Sequence, residues 1–254
     1  MRTKSTVNEQ SKLQYTQLLT EAKQKNALVP PSDPRVQRLR AIASRIVPYA
    51  ARWNPAAADW KWEVNLLNSD QVNAFCMPGG RIAFFSGILT KLNLTDDEVA
   101  MVMGHEISHA LREHARKRMV ESSATSAVGK LLGAGVSAYF GIDPRLTDTV
   151  AGIGAQMISL KFSRGEETEA DIVGLDLAAR AGFDPRAGIT LWQKMGAAGS
   201  RQPLEILSTH PGGESRINEM NRNMPLVLPV YARTKGTTVD KLPPYQSMPL
   251  PPKA

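Results

Sequence analysis

The stretch 95–111, TDDEVAMVMGHEISHAL, combines a helix start with two histidines four residues apart. Thr95 followed three residues later by Glu98 is a capping box, and Asp96 and Asp97 add acid in the first turn, where the helix dipole favours it. Val99, Val102, Met103, Ile107, Ala110 and Leu111 recur at helical spacing, so a long helix with an apolar face starts here. Arg116, Lys117 and Arg118 place positive charge toward its far end. On that helix His105 and His109 stand at i and i+4, about 40° apart around the axis, and both imidazoles project from one side. They can converge on a single metal ion, and Glu106, one step around, can reach a water held by that ion. The plain alternative is a helix with two satisfied core histidines and a surface glutamate. Gly104 costs helix propensity, which the close approach of another backbone or of a substrate would explain. His114 falls about 140° to 160° around the same helix from the pair and reads as structural.

Upstream, Val72–Cys76 and Arg81–Phe85 flank Met77-Pro78-Gly79-Gly80, whose two glycines can take the backbone angles of a tight reversal. Residues 60–67, WKWEVNLL, alternate large apolar and polar side chains at the period of a half-buried strand. A small antiparallel sheet is expected. Ser5–Ala27 and Arg35–Arg52 read as amphipathic helices, the second opened by Asp33-Pro34 and bent or shortened by Pro48. Downstream, Ala124–Ile142 is rich in Ala, Gly and Ser, which suits close helix packing or a mobile loop. A helix from about Glu166 to Arg180 stops at Gly182, and Asp184-Pro185 starts another carrying Leu191, Trp192 and Met195. A loop at Ser208–Gly213 precedes a last short helix. Seven prolines fall in residues 225–254, which read as an extended tail or a surface strap.

Two imidazoles need a third protein ligand to make a zinc site with one open position, and Glu or His on a second helix is the usual source. Residues 163–171, SRGEETEAD, offer Glu166, Glu167 and Glu169 at a helix start. Glu167 and Asp171 share a face at i and i+4, so Glu167 can bind the ion while Asp171 holds a ligand histidine. Acid complementing the helix dipole accounts for some of these glutamates without a metal.

Composition narrows the classes. With 42% hydrophobic and 22% charged residues in 254, the chain is neither wholly disordered nor collagenous nor a coiled coil. A net charge of +7 admits nucleic acid or an anionic membrane as partner, but the basic residues are spread out and no nucleic-acid module accompanies them. No nucleic acid is expected. Cys76 is the single cysteine, which excludes an intramolecular disulfide and a Cys-rich zinc site, and it reads as packing rather than reacting. The N-terminus has no apolar signal region, as a processed chain would also lack one. The most apolar stretch, Leu131–Ile142, is shorter than the roughly 20 residues of a membrane span, so a soluble chain is expected.

Four motifs in order carry a resemblance to the M48 peptidases. They are HExxH at 105–109, SRxxExEAD at 163–171, the NAFxxPGG hairpin of Asn73–Gly80, and Ser208-Thr209-His210-Pro211. The resemblance covers about residues 35–222. It implies an α+β, mainly α-helical, zincin-like (gluzincin) core with an N-terminal helical segment (1–34), a catalytic domain (35–224) and a Pro-rich tail (225–254). It implies a zinc metalloendopeptidase holding one Zn2+ through His105, His109 and Glu167, with Glu106 as general base and Asp171 in support. Asn73 and His210 match family residues beside the metal, where an amide and an imidazole can hydrogen-bond the scissile carbonyl as it becomes an oxyanion. In some relatives the matching histidine plugs the metal instead. For His210 both roles stay open, as does that of a loop histidine capping the next helix.

Zincin-type peptidases add an extended substrate to a sheet edge, and the Arg81–Phe85 strand is the expected edge here. Unfolded or misassembled proteins would suit such binding. Trp60, Trp62, Phe84 and Phe85 suit subsites beside it, although core packing is the reading adopted. No 34-residue repeat follows the core, so the resemblance is to the small lipoprotein members of the family. That implies the periplasm, with outer-membrane association or a lipid anchor in the full-length form. The competing readings are a latent or chaperone-like binding module that keeps the zinc fold, and an integral-membrane peptidase, against which the lack of apolar spans speaks.

Overall fold

A computed structural model of the chain describes residues 4–118 and 161–252. The Ala124–Ile142 segment lies outside the described residues. Helix α1 spans Lys4–Gln24 and α2 spans Pro34–Ile46. Asp33 caps α2 by accepting the Arg35 N–H at 2.8 Å, with Pro34 in the first helical turn. Pro48 cannot supply the N–H that would continue α2, and the chain tightens into a 3-10 turn over Val47–Arg52.

Three strands follow: β1 (Glu63–Leu67), β2 (Ala74–Met77) and β3 (Arg81–Phe85), in the order β1-β3-β2. The sheet is mixed rather than antiparallel. The β2–β3 hairpin docks on β1 through its second strand, so β1 and β3 run parallel, with Glu63 opposite Arg81 and Leu67 opposite Phe85. Two cores drive this. Ile82 and Phe84 face the main core, whereas Ala83 and Phe85 pack with Tyr15, Leu18 and Ala22 of α1 on the other face. A strand buried on both faces is best placed between two neighbours.

This order corrects the expected substrate edge. Arg81–Phe85 is paired on both sides, so β1 and β2 are the edges of the sheet; residues 27–29 bond along the outer side of β1, and among the described residues no strand pairs with the outer side of β2. The Phe85 N–H donates to Asn73 O, so the antiparallel alternation turns the backbone groups of Ala74 and Cys76 outward. Trp60 and Trp62 pack partly buried against the main core, and Phe84 and Phe85 are buried, as core residues rather than subsites.

After α3 (Ser86–Leu92), helix α4 runs over Asp96–Leu111 with its capping box formed in both directions: Glu98 N–H to Thr95 Oγ1 at 3.2 Å, and Thr95 N–H to the Glu98 carboxylate at 2.9 Å. Every residue from Glu98 to Leu111 is buried, so α4 is a central helix rather than a one-faced one. It ends earlier than the charge pattern suggested. Arg112 is the C-cap, Glu113 takes φ +58°, and Arg116–Arg118 lie beyond the reversal.

Helix α5 (Arg164–Arg180) begins with a second capping box between Ser163 and Glu166, and it crosses α4 at two glycines. A Cβ on Gly104 would sit 3.1 Å from Gly174 O, and one on Gly174 would sit 3.0 Å from His105 N. Gly104 therefore answers to another backbone, not to substrate. Helices α6 (Ala187–Gly199), α7 (Glu205–Thr209) and α8 (Glu214–Thr234) complete the shell.

The last helix overturns part of the tail reading. α8 is 21 residues long and continues through Pro225 and Pro229 to Thr234. Each interior proline costs about 3 kcal/mol. The two stand four apart, so their lost bonds fall on one side, at the carbonyls of Asn221 and Pro225, both exposed residues that water can reach. Met220 and Val227 are buried from the opposite side. Only beyond α8 is the chain a strap, tied to the start of α4 by Tyr245 against Thr95 at 2.7 Å and by Ser247 against Glu98 at 2.5 Å. Among the described residues no helix is long and apolar enough to cross a membrane.

The glycine crossing makes a prediction. Gly174→Ala is expected to lower the unfolding free energy by about 1–3 kcal/mol, the range for overpacking a tight contact, in spite of alanine's better helix propensity. Denaturant unfolding of the two proteins measures it. A gain in stability would mean the helices are not held at this distance.

Candidate metal centre

The α4–α5 crossing places the histidines of one helix against the acids of the other. His105 Nε2 and His109 Nε2 are 3.0 Å apart. Glu167 on α5 brings its carboxylate to 3.5 Å from His105 Nε2 and 3.3 Å from His109 Nε2. His210, at the C-terminal end of α7, enters the same space, with Nδ1 3.2 Å from His105 Nε2 and 2.9 Å from Glu167 Oε1. All four residues are buried.

Four donors around an ion at 2.0–2.1 Å would stand about 3.3 Å from one another at the corners of a tetrahedron. With Glu167 contributing Oε1, four of the separations are 2.9, 3.0, 3.2 and 3.3 Å, at or just below that value, and Oε2 is the oxygen that stands 3.5 Å from His105. Two further atoms fit the same conclusion. Glu106 Oε1 is buried with no hydrogen-bond partner, and Glu167 Oε2 has none either, although Arg216 Nη1 stands 2.5 Å from it without hydrogen-bond alignment. The residues present therefore suit a small divalent cation.

Asp171, one turn after Glu167, lies 2.9 Å from His105 Nδ1. A carboxylate only accepts, so His105 carries its proton on Nδ1 and turns the Nε2 lone pair into the cluster. Arg216 of α8 binds Asp171 through Nε at 2.6 Å and Nη2 at 2.5 Å, with its guanidinium 3.8 Å above the Trp192 ring.

His109 is held differently. Phe162 stacks on it with ring centroids 3.9 Å apart, and His109 Nδ1 meets His114 Nδ1 at 2.9 Å. The expected position of His114, far around a continuing helix, is wrong because α4 has already ended. Glu113, in the left-handed conformation, turns the chain back and brings His114 beside His109. His114 Nε2 in turn stands 2.9 Å from Glu169, which also takes Arg112.

The electrostatics of the cluster's own side chains follow from burial and charge. Burial pushes the Glu106 carboxyl above its usual range, partly offset by His210 and His105. Burial also holds His109 well below the ordinary imidazole value, against the pull of Glu167. Glu167 goes the other way: burial would raise its carboxyl, but His210 and His105 outweigh it and lower it strongly. His210 is raised because Glu106 and Glu167 together overcome its burial. Asp171 is lowered because Arg216 overcomes burial.

Asn73 lies at the head of β2, and its Oδ1 accepts the Ala74 N–H at 3.0 Å. It lines one cavity with Glu106, His109, Phe162 and His210. A second, apolar cavity opens on the other side of Glu106 and His210, lined by Met101, Leu191, Trp192 and Met220. The described structure thus brings every anticipated residue to one place. Sequence reasoning missed Arg216 and Phe162 and did not pair Glu169 with His114, whose position the reversal at Glu113 hid.

Residues 33–223 match a known family, described as peptidase family M48. The chain is 39% identical over 155 residues to the mitochondrial metalloendopeptidase OMA1 of Arabidopsis thaliana, covering 61% of this chain and 30% of that protein. It is 36% identical over 210 residues to the β-barrel assembly-enhancing protease of Escherichia coli K12, covering 78% and 41%. It is 31% identical over 200 residues to the mitochondrial metalloendopeptidase OMA1 of Schizosaccharomyces pombe, covering 78% and 56%. The chain thus spans less than two thirds of the length of each of these relatives. With most of its length matched and the donor cluster inside the matched region, the chain belongs to peptidase family M48.

Proposed function

We propose that this chain is a zinc-dependent metalloendopeptidase in which His105 Nε2, His109 Nε2 and a Glu167 carboxylate oxygen hold the ion. The observation that carries the reading is a buried donor set at tetrahedral spacing beside a glutamate oxygen without a partner. A bound Zn2+ supplies Lewis-acid polarisation of the scissile carbonyl and lowers the pKa of its water toward ~7. Glu106 takes the proton of the attacking water and passes it to the leaving amine. Burial raises its pKa, which makes the carboxylate a stronger base for the first half of that task. Asn73 spends its Oδ1 on Ala74, which leaves its NH2 as the end able to donate to a developing oxyanion.

The outward backbone groups of β2, the Ala74 C=O and the N–H and C=O of Cys76, receive an extended peptide beside Glu106, the Ala74 N–H being taken by Asn73. Recognition through backbone hydrogen bonds places little demand on side chains. Unfolded or misassembled proteins are therefore the substrate class proposed. The E. coli relative is named a β-barrel assembly-enhancing protease, which supports misassembled envelope proteins as clients, with the periplasm as the proposed compartment.

His210 supports a closed form of the same enzyme. Its Nδ1 takes the fourth corner of the cluster, which hydrolysis needs for water. In this reading His210 must withdraw before cleavage. A latent enzyme and an active one then differ by the position of one loop side chain.

Two variants test these assignments. Glu106→Gln is expected to keep one zinc per chain and to lose cleavage of casein by on the order of 10²–10⁴, the scale of a general acid–base group. Loss of zinc together with activity would assign Glu106 to binding instead. His210→Ala is expected to cleave casein faster than wild type. A slower variant that still holds zinc would make His210 a transition-state donor and contradict the closed form.

A further inference from the structure

Both metal-facing histidines need a fixed tautomer, and the structure fixes each by a different device. For His105 the acceptor is the Asp171 carboxylate. For His109 the partner is another imidazole, His114, at 2.9 Å between the two Nδ1 atoms. One of those nitrogens must donate and the other accept, since two N–H groups cannot face each other at that distance.

Glu169 decides which. Its carboxylate accepts from Arg112 Nε at 2.6 Å and stands 2.9 Å from His114 Nε2, so His114 must carry its proton on Nε2. Its Nδ1 is then a lone pair. His109 therefore donates from Nδ1 and keeps its Nε2 lone pair for an ion shared with His105 Nε2 and Glu167, two acceptors that stand 3.0 and 3.3 Å away and would otherwise call for a proton on that nitrogen. Were the sequence of bonds reversed, a His109 Nε2–H would point into the cluster and no ion could bind there. The reversal at Glu113, with its φ of +58°, is what delivers His114 to this position.

We propose that His114, oriented by Glu169, is a positioning residue that holds His109 in the tautomer able to bind a metal ion. The relay runs Glu169, His114, His109, and it ends at the cluster. Burial of His114 at 0% exposure is consistent with a side chain that never meets solvent or substrate. The inference rests on the assignment of His109 as a ligand. The two ligand histidines are thereby unequal: one leans on a carboxylate and the other on a neutral ring, a weaker acceptor.

The test is zinc affinity by chelator competition, together with ring ¹⁵N shifts of His109 in the zinc-loaded protein. In wild type, His109 is expected as the Nδ1–H tautomer. His114→Leu removes the acceptor and is expected to weaken zinc binding about 10–100-fold, the scale for loss of an outer partner of a ligand histidine. His114→Gln, whose carbonyl can accept and whose NH2 can donate to Glu169, is expected to recover most of the affinity. Glu169→Ala leaves the buried rings in place and is expected to weaken binding in the same direction, so it decides the matter if His114→Leu does not fold. Wild-type affinity in His114→Leu or in Glu169→Ala, or a His114→Gln no better than His114→Leu, overturns the relay while leaving the metal centre standing. A wild type that binds no zinc overturns the ligand assignment itself.

Discussion

Two helix backbones that touch at Gly104 and Gly174 set the scale of everything in the centre of this molecule. A side chain at either glycine would meet the other backbone at about 3 Å, and wider spacing would draw Glu167 away from the two histidines. The contact lies one residue before His105 and three after Asp171, so the crossing and the donor cluster are parts of one object. Both helices are capped by the same device, Thr95 with Glu98 and Ser163 with Glu166, which fixes where each begins and hence which residues reach the crossing.

Charge is the second constraint. Glu106, Glu167 and Asp171 are buried together with one guanidinium, that of Arg216. Three carboxylates and one fixed cation leave a shortfall of two positive charges when all three acids are ionised, and buried charge without compensation is costly. A divalent ion would meet that shortfall. Within the cluster burial pushes the Glu106 carboxyl up, and the acids around His210 raise its imidazole. Arg216 holds Asp171 through two hydrogen bonds while stacked on Trp192, so the acid that orients His105 is itself held.

Much of this was legible in the residues. The capping box at Thr95, the i, i+4 histidines, the turn at Gly79-Gly80 and the Glu167–Asp171 pair all rest on local rules, in which spacing along the chain determines spacing in space. What was not legible depended on distant parts of the chain or on backbone angles. That β3 lies between β1 and β2 follows from the two cores it serves, which no local pattern displays. The helical path through Pro225 and Pro229 is set by burial of Met220 and Val227, which outweighs the propensity of the prolines. His114 was misplaced because one residue, Glu113, adopts a left-handed backbone conformation that glycine would have announced and glutamate does not. Arg216 gave no signal, since a buried arginine looks in sequence like an exposed one.

The central claim is that His105, His109 and Glu167 form one metal site. Anomalous diffraction at the zinc edge, from crystals of the protein supplied with zinc, tests it most directly. A single strong peak is expected about 2.0–2.2 Å from His105 Nε2, His109 Nε2 and a Glu167 carboxylate oxygen. A zinc-soaked crystal with no peak there, or with its peak on other residues, would contradict it.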